Sequence, residues 1–511
     1  MSKQGLKTSE SAAQRLNEII TRRMHSQKAE GRREESAAQR LNDIIALLGK
    51  TRKHYQTTVF PLADDIRRIE IESEVKQKEK ADQQGNNLGC AFFFALILGG
   101  TIGAMIFGTS GGDGAVVGMV LGAVIAIIIL FGVRSSNREG VRAKYEVELQ
   151  QRRSQYKGVK AQEHDALRAA VEKFSQEMSA QTRVDHPSSL PWSHAAWKQW
   201  QPAVSASEVI RLGELAVPEL DKTMTPCLLP FPYDRGVLFL SDSGTGKDLV
   251  AAVHSVLLRM LVAQLPGKLR FTLIDPIGMG QNVAALLPLG DHNPELIHNR
   301  AWSESRHIEE RLAELSEQME TVIQRYLRTE YATLADYNAK AGEVAEPYRV
   351  LVLFDYPTNI TEESTRRLLS LIKNGARCGI YTMLTTSRQH LTKGEGVFGP
   401  FIDLEEIKPY MVVIDAGAQY RLTYGELLEC PITLDDRPAP ALLEMMIKQI
   451  GPASVEASKV QVPFEKVIPA NEQWWKGKTE DYLSVPVGPA GARKLQDLTL
   501  GRGTAIHALV A

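Results

Sequence analysis

The sequence predicts an α/β domain built on a parallel sheet, preceded by a two-helix apolar hairpin with long helices on either side. Three observations predict it. Between residues 212 and 455, short apolar strands alternate with helical stretches, the order that covers both faces of a parallel sheet. A glycine-rich turn, SDSGTGKD at residues 241–248, joins one strand to the next helix. Two uncharged runs, residues 88–108 and 115–133, stand out from an N-terminal third that is otherwise dense in charge.

The chain opens with a repeat over residues 1–50: SAAQRLNEII at 11–20 and SAAQRLNDII at 36–45. Ser11 with Gln14 and Ser36 with Gln39 have capping-box spacing. Leu16, Ile19 and Ile20 share one helical face, as do Leu41, Ile44 and Ile45. Two copies are too few for a solenoid. They read as amphipathic helices that pack on a partner or on each other, or as a duplication with no distinct role. Residues 51–87 and 134–184 read as a cytoplasmic helix and a stalk helix around a transmembrane hairpin at 88–133. Each apolar run is close to the ~20 residues that cross a bilayer. Lys76, Lys78 and Lys80 precede the pair, Arg134, Arg138, Arg142 and Lys144 follow it, and Asp113 alone is charged in the turn. That bias predicts a multi-pass protein of the cytoplasmic membrane with both termini in the cytoplasm. Gly99 and Gly103, and Gly114, Gly118 and Gly122, recur every fourth residue, which lets helices approach closely. A buried soluble hairpin is the plainer alternative.

Residues 185–211 form a proline-broken linker. Its Trp192, Trp197 and Trp200 suit docking onto the next domain better than stacking on bases, since no basic run interleaves them. With 60 Lys and Arg against 61 Asp and Glu, the balance gives no sign of nucleic-acid binding. The four cysteines lack metal-ligand spacing and read as reduced thiols.

In the α/β region, strands are predicted at 236–240, 270–275, 349–355, 379–387 and 410–415, with helices at 248–265, 303–341 and 362–374. A ligand belongs at the carboxyl ends of such strands. The turn there has the frame of a phosphate-binding loop, G-x-x-x-x-G-K-[ST], in which amides cradle phosphate, Lys neutralises it and a hydroxyl holds Mg²⁺. Gly246 and Lys247 match the frame, Ser241 replaces its first glycine, and Asp248 replaces its hydroxyl residue. The candidate nucleotide-binding residues are Ser243, Gly244, Thr245, Gly246, Lys247 and Asp248, with ATP and Mg²⁺ as the implied cofactors. Asp355 ends an apolar strand and is the candidate Mg²⁺ residue, acting through water. Tyr356 follows it and is no base near neutral pH. Weak nucleotide binding without hydrolysis is the expectation.

The order of LIDPIG (273–278), the loop at 243–247, Asp355, and NGARCGIYTMLTTSRQ (374–389) resembles the FtsK/SpoIIIE family of membrane-anchored motors. The resemblance implies a RecA-like fold at 212–455, a ring or homo-oligomer, and double-stranded DNA as partner. In that family a Glu follows the acid, where this chain has Tyr356. Arg377 and Gln389 match the family's arginine and its strand-end polar residue, though a helix-end arginine and a surface glutamine explain both equally. VPVG at 485–488 and HALVA at 507–511 resemble the run-in to a second phosphate loop, so residues 456–511 read as a linker and the start of an incomplete second domain, with a C-terminal motor partner implied. The alternatives are a natural end there and, for the whole chain, a type VII secretion-like export ATPase or a non-catalytic membrane scaffold. No basic stripe marks a DNA path.

Overall fold

The computed structural model describes residues 36–107, 113–182, 186–220, 224–242, 246–298, 300–328, 330–391, 402–459, 467–468, 482–489 and 495–501; the side chains of residues 77, 80–123, 125–142, 247, 343, 489 and 495 also lie outside the described set. The first repeat and HALVA therefore fall outside the described residues. The chain divides into two units, Thr51–Arg168 and the remainder.

Thr51–Arg168 is built from two long helices, α1 (Ala37–Phe107) and α2 (Asp113–Gln181). Arg153 pairs with Glu70 at 2.6 Å, His54 with Glu163 at 3.5 Å, and Lys76 lies 5.5 Å from the ring centre of Tyr145. Each pair rises in one helix as it falls in the other, so the helices run antiparallel. Tyr55, Val59, Ile69 and Leu167 supply buried apolar positions. Among the described residues no helix is long and apolar enough to cross a membrane. Both apolar runs have helical backbone up to Phe107 and from Asp113, but nearly all their side chains lie outside the described residues.

The other unit is a mixed α/β domain around one nine-stranded sheet in the order β2-β1-β9-β8-β7-β3-β6-β5-β4. The strands are β1 (Val209–Ala216), β2 (Met224–Pro230), β3 (Gly236–Ser241), β4 (Leu269–Ile274), β5 (Tyr348–Tyr356), β6 (Ile380–Ser387), β7 (Met411–Ala416), β8 (Tyr420–Tyr424) and β9 (Leu427–Leu434). The five strands from β7 to β4 are parallel, and they are the five that the sequence predicts. Every residue of β3 and β6 is buried, as strands covered on both faces must be. The other four strands extend the sheet antiparallel and carry no comparable apolar run.

Helix α3 (Lys247–Ala263) follows β3 and is apolar and buried on nearly all sides. Helices α4 (Ser305–Val322), α5 (Glu362–Asn374) and α6 (Pro440–Ser458) complete the layers. The predicted helical stretch 303–341 divides into two helices. After α4 a π-turn at Ile323–Leu327 ends the first, and a capping box of Thr333 with Asp336 starts Leu334–Ala341. A separate pair, β10 (Leu483–Pro489) and β11 (Leu495–Leu500), is antiparallel.

The tryptophan linker docks onto α3. Trp192 Nε1 donates to Ser255 Oγ at 2.8 Å, and its ring faces the guanidinium of Arg259 at 4.1 Å. Arg259 is fully buried; Nη1 donates to the carbonyls of Ser188 and Leu190 at 2.8 and 2.5 Å, and Nη2 to Asp435 Oδ2 at 2.6 Å. Trp197 and Trp200 are buried beside them.

Candidate phosphate-binding site

Strand register builds the floor of the site. Ser241, the last residue of β3, lies level with Ser387 of β6 and Ala416 of β7, and Tyr356 of β5 pairs with Thr386. The turn at 241–248 thus leaves the carboxyl edge of the parallel strands, where the sequence places it. Ser243, Gly244, Thr245 and the Lys247 side chain lie outside the described residues. Gly246 caps α3 in an extended conformation (φ −83°, ψ 169°) and has no side chain to bond the first-turn amides. Asp248 sits exposed in that first turn. A carboxylate there is favoured by the helix dipole by roughly 0.3–1 kcal/mol. Its negative charge opposes that of a phosphate bound at the same helix start.

Asp355 sits where the pairing of β5 with β6 shifts, between Leu353 and Tyr356. Its φ of +54° is left-handed, a region that Asp tolerates better than most residues. Its amide donates to Thr385 Oγ1 at 3.0 Å, and the residue is half-buried. Tyr356 is wholly buried. Its carbonyl accepts from Thr386 Oγ1 at 2.7 Å. Burial pushes its phenol up to about 12, against a hydrogen bond with Thr365 of α5 that lowers it. The phenol is therefore engaged under α5, and no residue next to Asp355 carries a carboxylate that could polarise water.

Arg388, Asp415, Ser387 and Asp275 also shape this edge and were not singled out individually by sequence. Arg388, just past β6, bonds Asp415 at 2.5 Å and lies 3.4 Å from Asp242 of the turn. The Asp415 bond raises the guanidinium's pKa despite partial burial. The resemblance selects Gln389, one place on, but that side chain is exposed and Arg388 makes the ion pairs. Asp415 Oδ1 and the buried Ser387 Oγ have no hydrogen-bond partner among the described residues. Asp275, in LIDPIG, is fully buried and its carboxylate is consumed: it accepts from the amides of Gly278 (3.0 Å), Gly280 (2.9 Å) and Asn282 (3.1 Å) and from Asn282 Nδ2 (3.0 Å). It organises the loop after β4. Arg377 is exposed just before β6, at the opposite end of that eight-residue strand, roughly 25 Å from the turn by strand rise.

Asp242, Asp248, Asp355 and Asp415 all border this edge, while Arg388 already serves two of them. Their charges oppose the phosphates of a nucleotide, and among the described residues no group of three or more His, Cys, Asp or Glu is placed to hold a metal ion. A cavity of about 460 Å³ lies elsewhere, beside Lys268, Arg270, Asn293 and Ser454. Its cations are engaged: Lys268 Nζ donates to the Ala345 carbonyl at 2.7 Å, and Arg270 pairs with Glu295 at 2.6 Å.

No family model matches the chain, and no curated protein does. Among solved structures, it is similar to ATPases 2 and 3 of EssC from Geobacillus thermodenitrificans, at 16% identity and a TM-score of 0.37, over 58% of this chain and 60% of that one. It is similar to ATPases 2 and 3 of EccC from Thermomonospora curvata, solved with a signal sequence peptide, at 16% identity and a TM-score of 0.35, over 49% of this chain and 44% of that one. The pCW3 conjugation coupling protein TcpA, solved with ATPγS, matches at 10% identity and a TM-score of 0.33, over 48% of this chain and 74% of that one. The chain thus spans less than two thirds of the first two, and likeness at this level carries no conclusion about activity.

Proposed function

We propose that this chain is a membrane-anchored FtsK/SpoIIIE-like protein whose RecA-like domain holds nucleotide weakly, does not hydrolyse it, and serves as an assembly module of a ring-forming double-stranded-DNA translocase. The single observation that carries the non-hydrolytic reading is Tyr356: it stands next to Asp355, is wholly buried, and its phenol is pushed up to about 12. Asp248 at the start of α3 supports weak binding, because it opposes phosphate where the helix would attract it. The two uncharged runs with basic flanks support the anchor in the cytoplasmic membrane. A separate motor C-terminal to this domain would supply the turnover that this one lacks.

A second reading is a protein-export subunit of the type VII kind, and charge favours it: 60 basic against 61 acidic residues leave no excess to track a phosphate backbone. The detergent-solubilised full chain tests both. A fluorescent ATP analogue with Mg²⁺ is expected to bind weakly and saturably, with phosphate release at background. Robust turnover overturns the proposal. A salt-dependent shift of duplex DNA supports translocation of DNA; its absence at low salt moves the reading to export, and absence of nucleotide binding as well leaves a scaffold.

A further inference from the structure

The repeat that opens the chain plays no part in the proposed chemistry, yet one copy of it is docked in detail. Leu41, Ile45 and Leu48, in the first turns of α1, are buried. Ser36 Oγ accepts from the Gln39 amide at 3.2 Å, which starts the helix. The Ala37 amide donates to Glu208 at 2.8 Å, Arg40 pairs with Glu177 at 3.2 Å, and Tyr424 Oη donates to Asn42 Oδ1 at 2.5 Å. Gly49 closes the contact: a Cβ there would lie 2.3 Å from the Glu426 carbonyl carbon. The surface under residues 36–49 is therefore a site for a short amphipathic helix, with an acid at its start, an acid for its arginine and a phenol for its asparagine.

Each of the groups that make these contacts up to Ile45 recurs 25 residues earlier: Ser11, Ala12, Arg15, Leu16, Asn17 and Ile20. The two stretches differ only at Glu18 against Asp43, and Asp43 is exposed. They part company after that, where Arg23 and Met24 stand in place of Leu48 and Gly49. Met24 in the register of Gly49 would run into the Glu426 backbone. So the chain carries one surface and two segments that fit it, the second better than the first.

We infer that residues 11–20 are an alternative ligand for the surface that residues 36–49 occupy, and that they take it within the same chain when the second copy is released. Same-chain exchange wins over a neighbour because the tethered segment is present at an effective concentration of order millimolar. The exchange loops out roughly 30 residues between the docked copy and Thr51, and closing such a loop costs little more than closing one half as long. The result is a site with two set lengths of chain between it and α1 beyond Lys50.

A labelled peptide of residues 8–25, titrated against the detergent-solubilised full chain by fluorescence anisotropy, tests this. Wild type is expected to bind none, since its second copy fills the site. Leu41→Asp releases that copy but leaves residues 11–20 to refill the surface. Leu16→Asp with Leu41→Asp disables both, and is expected to bind the peptide at least tenfold tighter than Leu41→Asp alone. Equal binding to the two variants overturns the exchange, as does failure of the 8–25 peptide on a double variant that still binds a 33–50 peptide. Self-association of Leu41→Asp that disappears with Leu16→Asp overturns the same-chain assignment in favour of a neighbouring copy. Should neither peptide bind the double variant, Asp43→Glu decides: it makes residues 36–45 identical to 11–20. Unchanged amide-exchange protection there upholds the fit, and a tenfold or greater loss of protection overturns it.

Discussion

Replacing Asp435 by Asn tests whether a single carboxylate holds the linker, α3 and the antiparallel strands together. Asp435 Oδ2 accepts from Arg211 Nε at 2.9 Å and from Arg259 Nη2 at 2.6 Å, and Oδ1 lies 3.3 Å from Arg211 Nη2. The side chains of Arg211 and Arg259 are 5% and 0% exposed. Asn keeps the size but removes the charge, and it turns one end of the group into a donor facing donors. Removing one partner of a buried pair costs about 3–5 kcal/mol. Arg211 keeps Glu214 at 2.5 Å, and Arg259 keeps two carbonyls and the Trp192 face, which places the loss at the lower end, ~3 kcal/mol. That is more than a hundredfold in the folding equilibrium at about 1.4 kcal/mol per decade. Urea unfolding of the full chain in detergent, followed by tryptophan fluorescence, reads it, because Trp192 lies directly against Arg259. A loss below ~1 kcal/mol, the range of an exposed pair, refutes the reasoning.

Tyr356→Phe is expected to flatten the alkaline limb of the stability curve. The phenol titrates near 10 unfolded and about 12 folded, so its contribution is intact below pH 10 and lost as pH rises to 12. Wild type should lose ~2–3 kcal/mol more than the variant over that window, and parallel curves exclude the buried phenol. Asp275→Ala strands three amides and the Asn282 side chain around Gly278 and Gly280; a loss of ~2–4 kcal/mol and faster amide exchange confined at first to residues 276–283 are expected, whereas an intact loop would show that its own turns suffice. Asp248→Ser should tighten Mg-nucleotide binding several-fold in the titration while phosphate release stays at background, because Tyr356 is unchanged. Weaker binding in that variant would mean that the Asp248 carboxylate holds the metal.

The parallel half of the sheet was legible because its strands are unbroken apolar runs that must be buried on both faces. The antiparallel half was not. β2 carries Pro226 and Pro230, β1 shifts register between Arg211 and Gly213, and β8 and β9 expose several side chains, so none gives a clean period. The docked linker was readable from Trp192, Trp197 and Trp200, but its anchor was not: Arg259 interrupts an apolar helix, and its counter-charge lies 176 residues away. At the site, the frame of the turn and Asp355 were visible from spacing. Asp275 looked like any strand-end acid, and only the folded loop shows both of its oxygens consumed. The ion pairs of Arg388 with Asp242 and Asp415 could not be read from the sequence, because the register that sets Ser387 level with Ser241 is not written in either strand alone.

These placements separate what the domain keeps from what it lacks. A phosphate loop acts through the free amides and dipole at the start of the helix that follows it. Here α3 is buried on nearly all sides, and Arg259 in its middle is tied to the linker and to Asp435. At its other end the turn is held by Arg388 through Asp242, and Arg388 is held in turn by Asp415. Beside Asp355, Tyr356 presents a phenol buried under α5. Each of these features fixes shape, and none supplies a base. Hydrogen bonds and ion pairs thus fix the sheet, α3 and the linker to one another.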